Sequence, residues 1–168
     1  MATALNPIPL ETYMHTEYSP DCEYVDGAIL ERNVGQGNHS FTQTKLSRFL
    51  DTQLEARGLV TLVEQRTRVS PYRVRVPDVC VVETLEPVTS KPPLLCIEIY
   101  SPDDQWRDLT AKIGEYFQMG VPCVWVIDPW SRRGWIFDGE SAPREVVEFL
   151  EAPNLELQVP LRSVLPPE

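Results

Sequence analysis

Two acids sit alone inside apolar, strand-like runs. Val76-Pro77-Asp78-Val79-Cys80-Val81-Val82 carries Asp78 behind a proline, and Leu94-Leu95-Cys96-Ile97-Glu98-Ile99-Tyr100 carries Glu98. A carboxylate buried in a strand is costly unless it is paired, hydrogen-bonded or bound to a cation. A hard divalent cation meets that need for both acids, because magnesium takes one or two carboxylates and leaves its other positions to water and substrate phosphate. After Ser101-Pro102-Asp103-Asp104 comes a helical pattern over Gln105 to Met119 that carries Lys112. A lysine beside a phosphate held at such a site can stabilise developing negative charge or orient the attacking water. Asp78, Glu98 and Lys112 together point to metal-dependent cleavage of a phosphodiester.

Strands and helices must bring these residues together. Leu59 to Val69 and Tyr72 to Val82 read as two strands joined around Ser70-Pro71, with Pro77 restricted to a strand entrance or an edge. Glu83 to Pro93 is a proline-rich loop, Leu94 to Tyr100 a third strand, and Cys123 to Ile127 a fourth, closed by Asp128-Pro129. Phe41, Leu46, Phe49, Leu50 and Leu54 have helical spacing, which predicts a helix from His39 to Arg57 with Asn38 or Ser40 as cap and Gly58 as stop. The second helix has Trp106, Leu109, Ile113, Tyr116 and Phe117 as its apolar stripe and ends at Gly120-Val121-Pro122. A short helix after Pro9 and a hairpin of Cys22 to Val25 with Ala28 to Arg32, turning at Asp26-Gly27, come earlier. Shorter strands up to Phe137 and from Val146 to Leu150 follow the core, and the proline-rich end from Val164 carries no functional signal. Helix, three strands, helix, strand is the pattern of an α/β layered fold with a mixed sheet.

Several other polar residues admit more than one reading. Glu23, on the first hairpin strand, is either a solvated acid or a third acid of the site. Lys112 lies four residues after Asp108, a spacing that also suits an exposed helical ion pair. His39 suits a helix cap, a phosphate contact or plain exposure, and has no partner motif for a catalytic triad. Arg66, Arg68, Arg73 and Arg75 alternate so that each pair shares a strand face, giving either a phosphate-contacting strip or a solvated edge. Gly35-Gln36-Gly37-Asn38 reads as a flexible approach to the site, since it lacks the Lys-Ser/Thr ending of a phosphate-binding loop. Trp125 and Trp135 read as core or rim aromatics.

Pro77-Asp78-Val79, Glu98-Ile99-Tyr100-Ser101-Pro102, Asp108 with Lys112, Tyr116 and Gly120 at four-residue steps, and Val124-Trp125-Val126-Ile127-Asp128-Pro129 resemble the PD-(D/E)xK nuclease superfamily. More narrowly they resemble its Uma-type restriction-endonuclease-like family, a likeness that also takes in Glu23-Tyr24-Val25-Asp26-Gly27 and His39. The resemblance implies a restriction-endonuclease-like core and a bacterial, magnesium- or manganese-dependent endonuclease acting on DNA. It further implies that Asp78, Glu98 and Glu23 hold the metal, that Lys112 assists, and that a homodimer forms. Superfamily members commonly place lysine two residues after the second acid, where this chain has Tyr100; Lys112 looks like its migrated replacement. The alternative is a nuclease-like module that no longer cuts and binds nucleic acid or protein.

With 168 residues, 42% of them hydrophobic, the chain suits one domain over 1–168 with a core at about 39–128. No apolar run approaches the roughly 18 residues that span a membrane, and no basic, apolar leader opens the chain, so a cytoplasmic protein is expected. Cys22, Cys80, Cys96 and Cys123 lack the spacing of a zinc site and read as small apolar residues. A net charge of −10 argues against a tight, sequence-blind DNA coat protein, whose affinity would come from phosphate neutralisation, but not against a nuclease whose metal offsets local acidity.

Overall fold

A computed structural model describes residues 6–33 and 35–168. Its centre is a six-stranded sheet built from β3 (Val60–Val63), β6 (Val79–Val82), β7 (Leu95–Ile99), β8 (Val124–Asp128), β9 (Arg133–Phe137) and β10 (Arg144–Val146), in the order β10-β9-β8-β7-β6-β3. Only β7 and β8 run parallel. A parallel pair needs a crossover, and the helix over Trp106–Met119 supplies it.

Strand alternation decides which helix covers which face. Val79, Val81, Leu95, Ile97, Trp125 and Ile127 point to one side, where Leu46, Leu50 and Leu54 of the helix Gly37–Leu54 pack on them. Cys80, Val82, Cys96, Val124 and Val126 point to the other, against Leu109, Ile113 and Tyr116. Covered on both faces, the central strands read as continuous apolar runs. With the short helix Leu10–Met14 as α1, the two covering helices are α2 and α3.

The two long strands expected over 59–69 and 72–82 are each divided between two sheets. β3 ends at Val63, Glu64 takes a left-handed φ of 50°, and the chain resumes as β4 (Thr67–Ser70). On the return, β5 (Arg73–Arg75) ends before Val76-Pro77-Asp78, and β6 begins at Val79. Pro77 lacks an N–H for a ladder, which suits the point where the chain leaves one sheet for the other. β4 and β5 join the hairpin β1 (Glu23–Val25) and β2 (Ala28–Leu30) in a smaller sheet of order β2-β1-β5-β4. The hairpin turns where expected, with Asp26 at φ 50° and Gly27 at φ 93°. Tyr13 of α1 packs there with Tyr24 and Val74.

Three further expectations change. α2 begins at Gly37, so the second half of the Gly35–Asn38 loop is its first turn, and its N-cap is Gln36, with no side-chain capping bond from Asn38 or Ser40. The strand read over 146–150 is two, β10 and β11 (Phe149–Ala152), the latter paired with β12 (Leu157–Pro160). The proline-rich end is core rather than tail: Leu161, Val164 and Leu165 are buried with β11 and β12 over the α2 side of the sheet. All four cysteines are buried and free. No helix among the described residues is long and apolar enough to cross a membrane.

Candidate active site

The β6–β7 register pairs Val79 with Ile97 and Cys80 with Cys96. One further step sets Asp78 opposite Glu98, both on the α3 side. The end of the β6–β7 ladder thus brings two acids together, 5% and 6% exposed. One oxygen of Asp78, Oδ2, accepts from the Ile99 N–H at 2.7 Å and faces His39 Nε2 at 3.3 Å. The other, Oδ1, accepts from Arg32 Nη2 at 2.7 Å. Glu98 Oε1 accepts from the Tyr116 hydroxyl at 2.6 Å, and Lys112 Nζ lies 2.9 Å from both Glu98 oxygens.

Lys112 and Tyr116 are four apart on α3, hence on one helical face, and that face lies over Glu98. Glu23 enters from the smaller sheet, its Oε1 2.6 Å from Lys112 Nζ and also accepting the Val76 N–H at 3.0 Å. The ladder of β1 with β5, continued one residue, sets Glu23 opposite Arg75, whose Nη1 donates to Glu23 Oε2 at 2.8 Å. Arg75 also grips both oxygens of Glu115, at 2.7 and 2.9 Å, and Arg73 adds a third bond to Glu115 at 2.7 Å. The result is a buried chain of alternating charge running Glu115, Arg75, Glu23, Lys112, Glu98.

Environment separates these acids. Burial opposes the charge on Glu23, but Lys112 and Arg75 outweigh it and hold the carboxyl at about 2. Burial also works against Asp78, yet His39 and Arg32 keep it below the ordinary Asp value. At Glu98 burial wins: against the pull of Lys112, and with Asp78 and Glu23 adding like charge, its carboxyl is pushed up to about 7. Burial disfavours the Lys112 ammonium, but Glu23, Glu98 and Asp78 hold its pKa above the usual lysine value.

Asp78, Glu98, Lys112 and Glu23 line one cleft of about 690 Å³, walled on one side by residues 29–33 with His39 and on the other by residues 101–105 and the first turns of α3. Two carboxylates beside space for water fit a magnesium-type cation, and Glu98, whose protein donors leave its charge under-compensated, adds to that fit. Among the described residues no three His, Cys, Asp or Glu side chains converge as a ready-made metal cluster; Glu23 is already held by Lys112, Arg75 and the Val76 N–H.

A family model described as "Uma2: Putative restriction endonuclease" matches residues 10–167. The chain belongs to the Uma2 family. Among solved structures it is similar to "a putative nuclease belonging to DUF820" from Anabaena variabilis, with 22% identity, a TM-score of 0.84, and coverage of 94% of this chain and 97% of that one. At that distance the likeness shows the fold, a restriction-endonuclease-like core. A DrdV–DNA complex solved by cryo-EM is a weaker match, 16% identical over 67% of this chain and 73% of that one, with a TM-score of 0.45. No curated protein matches.

Within this Uma2 chain the residues singled out by sequence separate. Asp78, Glu98, Lys112, Glu23, His39 and Arg75 converge. Lys112 turns to Glu23 and Glu98 rather than to Asp108. Arg66 lies outside the cleft, doubly bonded to Asp21 and set over the Tyr13 ring at 4.5 Å. Arg68 bonds the Pro71 carbonyl, and Arg73 spends its donors on Asp26 and Glu115. Tyr100, at the position of the displaced lysine, donates to the Asp104 carbonyl at 3.0 Å. Arg32 and Glu115 were not legible as site residues. Nothing local marks Arg32, and Glu115 reads as an ordinary helical acid until Arg75 is seen beside it.

Proposed function

We propose that this Uma2 protein is a magnesium- or manganese-dependent phosphodiesterase, acting as an endonuclease on DNA. One observation carries the reading: acids at the ends of two adjacent strands and a lysine from the crossover helix meet in a single open cleft. Family membership supports nuclease function in general. Asp78 and Glu98 are the residues to hold the cation, which at such a site supplies charge to a phosphoryl oxygen and lowers the pKa of bound water.

The chain's own groups then have distinct tasks. The Ile99 N–H and His39 fix Asp78 Oδ2, and Tyr116 fixes Glu98 Oε1, so both carboxylates are oriented before any ligand arrives. Lys112, whose pKa is raised, stays an ammonium at neutral pH; it is a donor and charge stabiliser for the reacting phosphate rather than a base. Glu23, clamped by Arg75, sets where that ammonium sits.

The same charges favour a second reading, a binding module without turnover, because every acid of the cluster already has a protein partner. Cleavage of supercoiled and linear DNA by wild type and Asp78→Ala, in magnesium, manganese or chelator, separates the two. Metal-dependent cutting that disappears in Asp78→Ala supports the nuclease. No cutting, with no cation binding by calorimetry to folded wild type, sinks it.

A further inference from the structure

The cleft's cations are not equally committed. Arg75 gives its donors to Glu23 and Glu115, and Lys112 lies between Glu23 and Glu98 with the Val76 carbonyl at 3.4 Å. Arg32 differs. An arginine offers five N–H donors in a fixed fork, yet among the described residues Arg32 makes one hydrogen bond, from Nη2 to Asp78 Oδ1. Its other nearby acid, Glu64, lies 3.7 Å from Nη1 and is itself 46% exposed. The Arg32 side chain lines the cleft and is 14% exposed, and its Nε and Nη1 make no hydrogen bond among the described residues.

The single partner of Arg32 is also the oxygen of Asp78 with least other support. Oδ2 is held by the Ile99 N–H and His39, whereas Oδ1 meets only Arg32. A cation taking Asp78 takes Oδ1 from Arg32. The guanidinium would then be left with no counter-charge closer than the exposed Glu64, beside a cleft that has gained positive charge. A planar fork with unused donors binds a phosphate bidentately.

We propose that Arg32 is a ligand of the substrate phosphodiester, masked by Asp78 until a divalent cation occupies the Asp78/Glu98 site. This rests on the nuclease reading above. Because linkage is reciprocal, cation and nucleic acid then strengthen each other's binding. Arg32 is the group through which they do so, and a chain of net charge −10 is kept from holding DNA before its cation has arrived.

The test measures binding, not turnover. A labelled DNA duplex is titrated by anisotropy with wild type, Arg32→Gln and Arg32→Lys, in chelator and in calcium, a hard cation that the same oxygen donors accept. Calcium affinity is measured separately by calorimetry, and melting confirms that each variant is folded. Wild type should bind the duplex about tenfold more tightly in calcium than in chelator, and Arg32→Gln should lose that gain. The variant should bind calcium at least as tightly as wild type, because its competitor for Oδ1 is gone. In calcium the salt dependence of Arg32→Gln should be shallower by about one unit of log–log slope, with Arg32→Lys recovering part of the affinity. Arg32→Gln that keeps the full calcium-dependent gain, or that loses calcium affinity, overturns the proposal. If wild type cuts DNA with magnesium while Arg32→Gln keeps the gain, only the role of Arg32 falls. If wild type neither cuts nor binds cation, the nuclease reading falls with it.

Discussion

Glu98→Gln is the sharpest probe of the cluster. The side chain is 6% exposed and its carboxyl is raised from 4.5 to about 7, chiefly by burial. At about 1.4 kcal/mol for each tenfold change in proton affinity, ionising Glu98 inside the cation-free protein destabilises the fold by about 3 kcal/mol. The sign follows from a folded value above the unfolded one: the penalty is absent below pH 4.5, grows between 4.5 and about 7, and is complete above that. Glutamine stays neutral and still accepts the Tyr116 hydroxyl, but sets an amide against Lys112, an offset common to both ends of this range. Other groups, including His39, titrate alike in both proteins and cancel in the difference. Urea unfolding in chelator should therefore show Glu98→Gln gaining about 3 kcal/mol on wild type between pH 5 and pH 8, or roughly 6–12 °C in melting temperature for a chain of this size. Magnesium at pH 8 should raise the melting point of wild type and leave that of the variant unchanged. Parallel stability curves for the two proteins from pH 5 to 8 would refute the reasoning, since ionised Glu98 would then be fully compensated by Lys112 and Tyr116.

Tyr116→Phe removes a donor to ionised Glu98, so the carboxyl should rise further and the acid limb of a pH–rate profile should move to higher pH. An unmoved limb would assign it to another group. Arg75→Met leaves Glu23 and Glu115 buried without their shared cation and should cost about 3–5 kcal/mol in denaturant unfolding. Combined with Glu115→Gln it should cost less than the two separate losses added together. Leu50→Ala empties a fully buried position between α2 and the sheet; a loss of about 2–5 kcal/mol is expected, with cleavage unchanged at temperatures where the variant is folded.

Much of the architecture was written locally. Val79 to Val82 are apolar at every position, and Leu95 to Ile99 at every position but Glu98, because both sheet faces are covered. Gly58 and Gly120 stop helices at φ 73° and 108° as their positions suggested. The breaks at Glu64-Gln65-Arg66 and Val76-Pro77-Asp78 were not legible, since a chain changing sheets keeps its strand-forming composition and only Pro77 marks the place. Nor could spacing choose a partner for Lys112. Asp108, four residues away, satisfies the helical rule, but the rotation of α3 on the sheet points the ammonium at Glu98. The arginine strip divides for a related reason: alternation sets strand faces, but not that Asp21, Asp26 and Glu115 would claim Arg66 and Arg73 while Arg75 lines the cleft.

By itself, then, the sequence determined the two acids in apolar strands, the helix that carries the lysine and the turns between them, because each depends on residues within a few positions of one another. Tertiary structure alone decided how the charges are shared. The Arg32–Asp78 contact spans 46 residues and the Arg75–Glu23 contact spans 52. Coulomb energy depends on separation in space and on burial, and both are set only when the small sheet closes against the end of the large one. That closure makes Glu23 a strong acid at about 2 and Glu98 a weak one at about 7, a division set by Lys112 and Arg75 brought in from distant parts of the chain.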